Sequence, residues 1–373
     1  TVDVYKALKM LINHSNLCVA PNTKILTNQG YKNISSLVNQ KVDVWNGEEW
    51  SNVEVIKTGE NQKLLRVITN SGYEIECTPY HKFYVLESTE SGKRTKPSRY
   101  KEVRAKDLKQ GDKLIKFELP VITGYKQLKH AYDNGFFSAD GTINGKTNII
   151  YLYGDKKELR DKLNSVSEWK ESTQLDRMHG VATDLQDKYF VPTSDYDVNS
   201  RLSWLAGYLD GDGTITNNNG SQSIQAGSIN KEFLKEVQLM LQTLGVDSKV
   251  TLGKLATTEL LPKNDGTGEY AEYETKDLYR LLINGNSLFK LHELGLKTSR
   301  LEYEVKKPNR ECSQFIQVSE VQEIDGLSDT YCFTEPKRHM GMFNGLLTGQ
   351  CTEIKLPNNE KESFVCCLSS MNL

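Results

Sequence analysis

Two cysteines and one glutamine carry the groups in this sequence that are best placed for covalent chemistry. Cys18 directly follows the carbonyl of Leu17, so its thiol is suited to an N-to-S acyl shift that converts that peptide bond into a thioester. Cys351, 333 residues further along (351 − 18), offers a second thiol that can accept the acyl group. Immediately before it, the carboxamide of Gln350 can attack its own backbone carbonyl and cyclise. These steps would cut out residues 18–350 and join the two flanks.

Breaking a peptide bond in this way needs an acid for the leaving nitrogen and donors for the oxyanion. Residues 18–27 resemble the first motif of an intein, a segment that cuts itself out and ligates its flanks, and residues 72–81 resemble the second. The resemblance implies that Thr78 and His81 assist the first acyl shift. His81 would protonate the nitrogen of the scissile amide, a role that suits imidazole near neutral pH. Thr78 would orient that bond or donate to the oxyanion.

Residues 331–345 resemble the C-terminal motif of the same family, in which His339 is expected to support cyclisation or proton transfer. The sequence departs from the commonest pattern at three places. Cys332 stands where aspartate is usual, and a thiol there can relay a proton or act as a nucleophile. Gly349 stands where a penultimate histidine is usual. Gln350 replaces the asparagine that normally cyclises and must close a six-membered ring, so both splicing and a precursor blocked at this step remain open.

The flanks resemble another protein. Joining the two sides gives SNLCTEI, and this string, followed by residues 365–373, resembles the active-site region of a ribonucleotide reductase large subunit. The resemblance implies that Cys351 carries the thiyl radical after ligation and that Asn16 and Glu353 bind substrate. Cys366 matches one cysteine of the redox-active pair. This reductase site would exist only after residues 18–350 have been removed.

A third pattern lies inside the intervening segment. Residues 205–213, LAGYLDGDG, resemble the LAGLIDADG motif of homing endonucleases. Residues 134–141 resemble a degenerate first copy of the same motif. Both copies place small residues four apart, which predicts two helices that cross with close backbones and bring Asp140 and Asp212 together. Two carboxylates with DNA phosphate oxygens and water could hold Mg²⁺ and activate water for phosphodiester hydrolysis. In the family a lysine before the second motif often assists, and Lys188 is the nearest match.

The charge of this segment bears on its DNA partner. Residues 123–305 contain 21 Lys or Arg against 26 Asp or Glu, whereas DNA-binding domains usually carry a basic surplus. An active nuclease on a double-stranded homing site and a degenerate one that serves only as a scaffold or DNA-binding module both remain open. A further alternative is a DNA-cleaving protein that the β-rich part merely holds.

The hydrophobic pattern changes along the chain in a way that could position these groups. Up to about residue 118 the period is two, with a type I′ hairpin signal at Asn46-Gly47 and a second hairpin over 65–77. Helical patterns follow, notably over 231–244 and 277–294. Alternation then returns after Pro308, as if one β-rich domain were split by an insertion.

With the family resemblance, this pattern predicts a mixed fold in which an all-β Hint (horseshoe) splicing domain is split by an α+β LAGLIDADG endonuclease domain. The expected divisions are an N-terminal flank (1–17), the first part of the splicing domain (18–122), the endonuclease domain (123–305), the second part of the splicing domain (306–350) and a C-terminal flank (351–373).

Composition sets the remaining expectations. With 37% hydrophobic and 26% charged residues and no apolar run of 18 or more, the chain is expected to be a soluble protein outside the membrane. Its seven cysteines include no CxxC pair, which favours a reducing cytoplasm where thiols stay nucleophilic. Splicing needs no cofactor, its partners are the flanking segments in cis, and a monomer is expected.

Overall fold

A computed structural model describes residues 19–87, 99–173, 175–218, 221–263, 267–307 and 315–350. Both flanks, and with them the predicted groups of Asn16, Cys18, Cys351, Glu353 and Cys366, lie outside these residues. Within the described ranges no helix is long and apolar enough to span a membrane.

The first hundred residues form short antiparallel strands. They are β1 (Lys24–Thr27), β2 (Gly30–Asn33), β3 (Lys41–Trp45), β4 (Trp50–Gln62), β5 (Leu65–Thr69), β6 (Glu74–Cys77), β7 (Lys82–Leu86) and β8 (Tyr100–Arg104). The hairpin predicted over 65–77 is confirmed, since β5 pairs with β6.

The turn between β3 and β4 differs from the prediction. Trp45 pairs with Trp50, so the loop has four residues rather than the two of a type I′ turn. The side chain of Asn46 accepts hydrogen bonds from the amides of Glu48 and Glu49, at 3.1 and 3.0 Å, and only Gly47 has a positive φ. Asn46 therefore closes the loop with its side chain and does not adopt the left-handed conformation that a type I′ turn requires.

Residues 123–305, which we call the insert, contain all four described α-helices. Its elements are α1 (Ala131–Asp140), β9 (Gly141–Asn144), β10 (Thr147–Tyr153), β11 (Val166–Glu171), β12 (Arg177–Ala182), α2 (Val198–Asp212), β13 (Gly213–Asn218), β14 (Ser221–Ser228), α3 (Lys231–Gln242), β15 (Lys249–Lys254), β16 (Thr258–Pro262), β17 (Tyr270–Glu274), β18 (Leu278–Ile283) and α4 (Gly285–Glu293). Two four-stranded sheets run in the orders β11-β12-β10-β9 and β13-β14-β18-β15. The first sheet follows α1 and the second follows α2, so the insert has two similar halves.

Only the second part of the helix predicted over 277–294 is observed as a helix. Residues 278–283 form strand β18, which pairs with both β14 and β15 in the middle of the second sheet. A short apolar run is compatible with either a helix or a strand. Here the backbone hydrogen bonds to neighbouring strands on both sides favour the strand. Helix α4 begins only after Asn284, whose side chain accepts a hydrogen bond from the amide of Ser287 at 2.9 Å.

The chain returns to the β-rich part with four strands, which are β19 (Val318–Glu323), β20 (Ser328–Phe333), β21 (Met340–Phe343) and β22 (Leu346–Gly349). They complete the sheets that the first strands began: β20 pairs with β4, β21 with β1 and β19 with β5. One hydrophobic core contains residues from both sides of the insert, among them Val19, Ile25, Val318 and Phe343. We call this split unit the β domain.

Helix α3 of the insert docks on the β domain through buried polar groups. Gln242 Nε2 donates to the Tyr73 hydroxyl at 2.8 Å and to the Gly345 carbonyl at 3.0 Å, while Gln242 Oε1 accepts from the Tyr31 hydroxyl. The Tyr73 hydroxyl in turn donates to Asp247 at 2.6 Å. Because buried polar groups are costly to leave unpaired, this docking network fixes the insert to the hairpins that carry both ends of the β domain.

Candidate active sites

The first described residue lies between two strands from opposite ends of the chain. Val19 N donates to Tyr331 O and Tyr331 N donates to Val19 O, both at 3.1 Å, and Val19 also forms an antiparallel bridge with Cys77. Covalent geometry limits Cys18 to one Cα step of about 3.8 Å from Val19. Val19, the residue after the predicted junction, therefore adjoins the end of β6 and strand β20.

His81 lies in the turn that follows β6. Its side chain is fully buried, with the rings of Phe83 and Phe343 edge-on at centroid distances of 5.4 and 5.7 Å. Its Nε2 lies 2.8 Å from the Thr348 hydroxyl, and its Nδ1 has no hydrogen-bond partner in the described part of the chain. Burial lowers the pKa of His81 to about 3, so the imidazole is neutral at physiological pH.

The other two predicted groups at this junction are also buried. Thr78 directly follows β6, and its carbonyl accepts from the amide of His81 at 3.0 Å, so a tight turn presents both side chains. Cys332 lies on β20 next to Tyr331 and is fully buried. The structure thus gathers Thr78, His81 and Cys332 around the start of the described chain.

The last described residue is held just as firmly. Gln350 is fully buried, and its amide donates to the His339 carbonyl at 3.1 Å. Its carboxamide Nε2 donates to the Glu335 carbonyl at 3.1 Å and lies 3.4 Å from His339 Nδ1. The carboxamide Oε1 has no partner among the described residues. His339 is therefore beside the predicted cyclising group, although it comes from an exposed turn where its φ is +57°.

Close packing explains why glycine stands at the penultimate position. A Cβ atom built on Gly349 would lie 2.7 Å from Lys82 Cβ and 3.2 Å from the Lys82 carbonyl oxygen. Distances this short leave no room for a side chain unless strand β22 moves away from β7. The usual histidine therefore does not fit this backbone.

Glu335 was not singled out from the sequence. Its carboxylate is fully buried and accepts from the amides of Lys337 and Arg338 at 3.1 and 2.7 Å, with Asn46 at 3.4 Å. Burial opposes ionisation, yet these hydrogen bonds hold the pKa of Glu335 below its usual value. The carboxylate shapes the 335–338 turn and so places the carbonyl that binds Gln350. A glutamate followed by proline gave no sequence signal for this role.

In the insert, helices α1 and α2 cross in close contact. A Cβ on Gly135 would lie 1.8 Å from the Trp204 carbonyl oxygen, and one on Gly207 would lie 1.9 Å from the Tyr132 carbonyl oxygen. No residue other than glycine fits at such distances. The close crossing that the paired small residues predicted is confirmed.

The crossing brings Asp140 and Asp212 together, because each ends its helix. A Cβ on Gly211 would lie 3.6 Å from Asp140 Oδ2. Burial, and secondly the charge of Asp140, raise the pKa of Asp212 to about 6. Lys156, which the sequence had not singled out, binds Asp140 Oδ2 at 2.6 Å. Its short 3₁₀ helix (Gly154–Lys162) follows β10, and nothing in the local sequence indicates this pairing.

Lys188 reaches the same site. Its Nζ donates to the carbonyls of Ala139, at 3.4 Å, and Gly141, at the end of α1. Burial lowers the pKa of Lys188, opposed by the charges of Asp212 and Asp140. The ammonium thus lies beside both carboxylates. An open cleft of about 780 Å³, lined by residues 141–143 and 187–190, adjoins it.

The other acidic residue of the motif, Asp210, has a different environment. The carboxylate of Asp210 is fully buried and accepts from the Tyr132 hydroxyl at 2.7 Å and from the amides of Ser299 and Arg300 at 2.7 and 2.9 Å. Arg300 also donates to the carbonyl of Gly213 at 2.6 Å. Asp210 therefore ties the end of α2 to the segment after α4, whereas Asp212 faces Asp140.

The two aspartates fit a hard divalent cation. No cluster of three or more His, Cys, Asp or Glu side chains suited to a metal occurs within the described ranges. Mg²⁺ is commonly bound by one or two carboxylates and completes its octahedron with water and phosphate oxygens. Burial and the charge of Asp140 raise the pKa of Asp212 in spite of the nearby positive charges of Lys156, Lys188 and Arg300, and a bound divalent cation would stabilise its anionic form further.

Comparison with known proteins agrees with the division into a β domain and an insert. Residues 199–294 match the LAGLIDADG-like domain family. The chain is 42% identical over 385 residues to the ribonucleoside-diphosphate reductase large subunit of Invertebrate iridescent virus 6, and the alignment covers 100% of this chain and 39% of that protein. A similar protein of Bacillus subtilis, the NrdEB subunit alpha, is 27% identical over 441 residues, covering 97% and 39%. The chain thus spans about two fifths of the length of these relatives.

Solved structures with partial likeness include a variant of the Ssp DnaB mini-intein, with a TM-score of 0.33 and 8% identity over 91% of this chain and 96% of that one. Another is a variant of the homing endonuclease I-DmoI, with a TM-score of 0.27 and 15% identity over 46% and 97%.

A β domain that is formed from both sides of the insert and interrupted by a LAGLIDADG-like domain is the architecture of an intein that carries a homing-endonuclease domain. Along its whole length the chain is similar to about two fifths of the ribonucleotide reductase large subunit of the iridescent virus.

Proposed function

We propose that residues 18–350 excise themselves by protein splicing and join the two flanks. One observation carries the proposal: segments from both sides of the insert pair with each other beside the predicted groups. Val19 is held between Cys77 and Tyr331, which directly precede Thr78 and Cys332, and the Thr348 hydroxyl contacts the ring of His81. A stable fold has no need to place an unpaired ring nitrogen at this point, because burying an unsatisfied polar atom costs free energy.

In the first step the thiol of Cys18 attacks the carbonyl carbon of Leu17, and the C–N bond to Cys18 breaks as the C–S bond forms. The leaving amine must gain a proton while the thiol loses one. A neutral His81 can accept the thiol proton at Nδ1 and donate it to the leaving amide nitrogen. General acid–base catalysis of this kind typically raises the rate by about 10²- to 10⁴-fold. Thr78 orients the scissile bond or donates to the oxyanion.

The acyl group then passes from Cys18 to the thiol of Cys351, an exchange of one thioester for another. Cys332 is buried on β20 one residue beyond Tyr331, which pairs with Val19, so its thiol is placed to relay a proton during this exchange. No cofactor is required, because nucleophile, leaving group and proton carriers all belong to the chain.

Gln350 completes the reaction. Its Nε2 attacks its own backbone carbonyl, a C–N bond forms in a six-membered ring, and the bond to Cys351 breaks. The amine released on Cys351 then displaces the thioester sulphur to give an ordinary peptide bond. His339 Nδ1, 3.4 Å from the attacking nitrogen, is placed to take the proton that this nitrogen loses.

The insert is proposed to cleave double-stranded DNA at a specific site. Asp140 and Asp212 would hold Mg²⁺, which when bound supplies an activated water and charge stabilisation for phosphodiester hydrolysis. Lys188 and Lys156 lie against the two carboxylates and would meet the negative charge of a phosphate in the adjoining cleft. We place the protein in the cytoplasm as a monomer, with DNA and its own flanks as partners.

After ligation, the flanks would belong to a ribonucleotide reductase. Cys351 would carry the thiyl radical, Asn16 and Glu353 would bind substrate, and Cys366 would be one of the redox-active cysteines. Before excision the intervening 333 residues separate Asn16 from Cys351, so the unspliced reductase would be inactive.

The experiment that tests splicing places the whole chain between two unrelated soluble proteins and follows intact masses over time, with and without a thiol reductant. We expect ligated flanks and a free fragment of residues 18–350. Cys18→Ala should abolish thiol-induced cleavage, while Gln350→Asn should accelerate release of the C-terminal flank because a five-membered ring closes more readily. Ligated product from the Cys18→Ala variant would refute the mechanism.

A blocked precursor is the second candidate, and one contact favours it: Gln350 Nε2 is held by the Glu335 carbonyl and must turn away before it can attack. This candidate predicts thiol-induced cleavage at Cys18 without ligation in the unmodified chain. Gln350→Asn would then produce ligated flanks for the first time.

The nuclease needs a separate assay, because its residues take no part in splicing. A plasmid carrying the uninterrupted coding sequence of the joined flanks should be cut in the presence of Mg²⁺. Asp212→Asn should abolish cutting and leave splicing intact. An uncut plasmid, with the splicing activity present, would favour a degenerate nuclease that serves as a scaffold or DNA-binding module.

A further inference from the structure

The hydroxyl of Thr348 is the one described side-chain group that holds the His81 ring by a hydrogen bond. Both residues are fully buried, and Thr348 Oγ1 lies 2.8 Å from His81 Nε2. Only apolar rings, Phe83 and Phe343, contact the two edges of the imidazole among the aromatic neighbours that the structure describes. Without Thr348, the ring would keep its packing but lose its directional contact.

We infer that Thr348 is a positioning residue for the first acyl shift, whose hydroxyl orients His81 so that Nδ1 is presented to the N-terminal junction. The inference rests on the proposed splicing function and adds to it a residue that none of the motifs contains. In this role Thr348 acts through the histidine and not on the scissile bond itself.

The contact also selects which ring nitrogen bears the proton. In the arrangement that we infer, the Thr348 hydroxyl gives its hydrogen to the Gly349 carbonyl, 3.5 Å away, and accepts from His81 Nε2, 2.8 Å away. His81 then donates from Nε2 and keeps a lone pair on Nδ1. A base at Nδ1 is what the thiol of Cys18 needs in order to lose its proton as it attacks.

The position of Thr348 links the two junctions. It lies on β22, two residues before Gln350, and β22 packs against β7, the strand that begins directly after His81. A displacement of β22 that pulled Gln350 out of its site would also withdraw the hydroxyl from His81. The first step therefore proceeds at full rate only when the C-terminal junction is seated.

The experiment measures thiol-induced cleavage between Leu17 and Cys18 in the full chain, with Cys351→Ala in every sample so that the thioester cannot pass to the second junction while Gln350 keeps its contacts. Thr348→Val replaces the hydroxyl by a methyl group of the same shape and should slow cleavage by roughly 10- to 100-fold, the scale expected for a misplaced catalytic group. Thr348→Ser keeps the hydroxyl and should restore most of the rate.

The matched control is Thr27→Val. Thr27 is also buried, and its hydroxyl donates to the Gly30 carbonyl at 2.8 Å, so the variant loses a comparable hydrogen bond away from the histidine. It should cleave at the unmodified rate. If Thr348→Val and Thr27→Val were slowed equally, the effect would be one of general stability and the inference would be overturned.

Nitrogen chemical shifts of ¹⁵N-histidine-labelled protein supply a readout that does not depend on activity. With six histidines the His81 signals can be assigned by comparison with His81→Gln. We expect Nε2 protonated in the unmodified chain and a mixture of the two tautomers in Thr348→Val. Unchanged shifts and an unchanged rate would overturn the inference. Absence of thiol-induced cleavage in the unmodified chain would instead refute the proposed function, while the shifts would still decide how Thr348 acts on His81.

Discussion

Replacing Gly349 with the histidine usual at this position should damage the protein rather than improve it. The Cβ of any side chain here would lie 2.7 Å from Lys82 Cβ, with the Lys82 carbonyl oxygen at 3.2 Å and Tyr84 Cε2 at 3.4 Å. Strand β22 would have to move away from β7, and Thr348 would move with it, away from His81.

The magnitude follows from two opposing effects. Forcing an extra atom into a close-packed site typically costs about 1–3 kcal/mol. Removing a glycine from a strand returns roughly 0.5–1 kcal/mol of conformational entropy. We therefore expect Gly349→Ala to lower the free energy of unfolding of the β domain by about 1–2 kcal/mol, and Gly349→His to lower it further and to slow release of the C-terminal flank.

The assay is urea denaturation of unspliced protein, made inert by Cys18→Ala. Lys82 offers a matched pair of second-site variants. Lys82→Ala keeps the clashing Cβ and should recover nothing, whereas Lys82→Gly removes it and should recover most of the loss. Both lose the Lys82–Glu102 ion pair, so that contribution cancels in the comparison. An unchanged midpoint in Gly349→Ala, or faster C-terminal release in Gly349→His, would refute this reasoning.

Three further predictions concern ionisable groups. Burial holds the folded-state pKa of His81 at about 3, below its value of about 6.5 in the unfolded chain, so the unfolded chain binds more protons and stability should fall as pH drops below 6.5; His81→Gln should flatten this dependence in urea titrations between pH 4 and 7. The folded-state pKa of Asp212 is raised to about 6, so its unfavourable contribution to the free energy of unfolding grows as pH rises from 4 to 6 and persists above pH 6. Asp212→Asn should therefore stabilise the metal-free insert at pH 7 by on the order of 1–3 kcal/mol in thermal or urea unfolding. A destabilised variant would contradict this. Tyr73→Phe removes the hydrogen-bond donor to buried Asp247, whose pKa is already raised by burial. The variant should lose about 1–3 kcal/mol of the free energy of unfolding. It should also be cut more readily between the insert and the β domain, which limited proteolysis would detect.

The sequence predicted the parts of this fold that rest on local periodicity and on backbone approach. Alternation predicted the 65–77 hairpin, and the small residues at Gly135 and Gly207 predicted the helix crossing, because only glycine permits backbone contact there. The crossing then placed Asp140 and Asp212 in one site without any further assumption.

Other features depend on contacts between distant segments and left no local signal. Lys156 and Thr348 reach their sites through pairings made only in the folded chain, with Asp140 and His81 respectively. The type I′ turn at Asn46-Gly47 and the long helix over 277–294 were wrong for a related reason. A side-chain cap in one case and pairing on both strand edges in the other outweighed the local preference.

The docking network of Gln242, Tyr73, Tyr31 and Asp247 has a genetic consequence. A deletion that removed the insert in one event would expose Tyr31 and Tyr73 and take away the donor to the Gly345 carbonyl, in the turn of the hairpin that ends at Gln350. If excision is needed for an active reductase, such a deletion would harm the host gene at once. Selection on the reductase would then preserve the insert even in lineages where it no longer cuts DNA. The insert would be retained as a structural part of the protein that it interrupts.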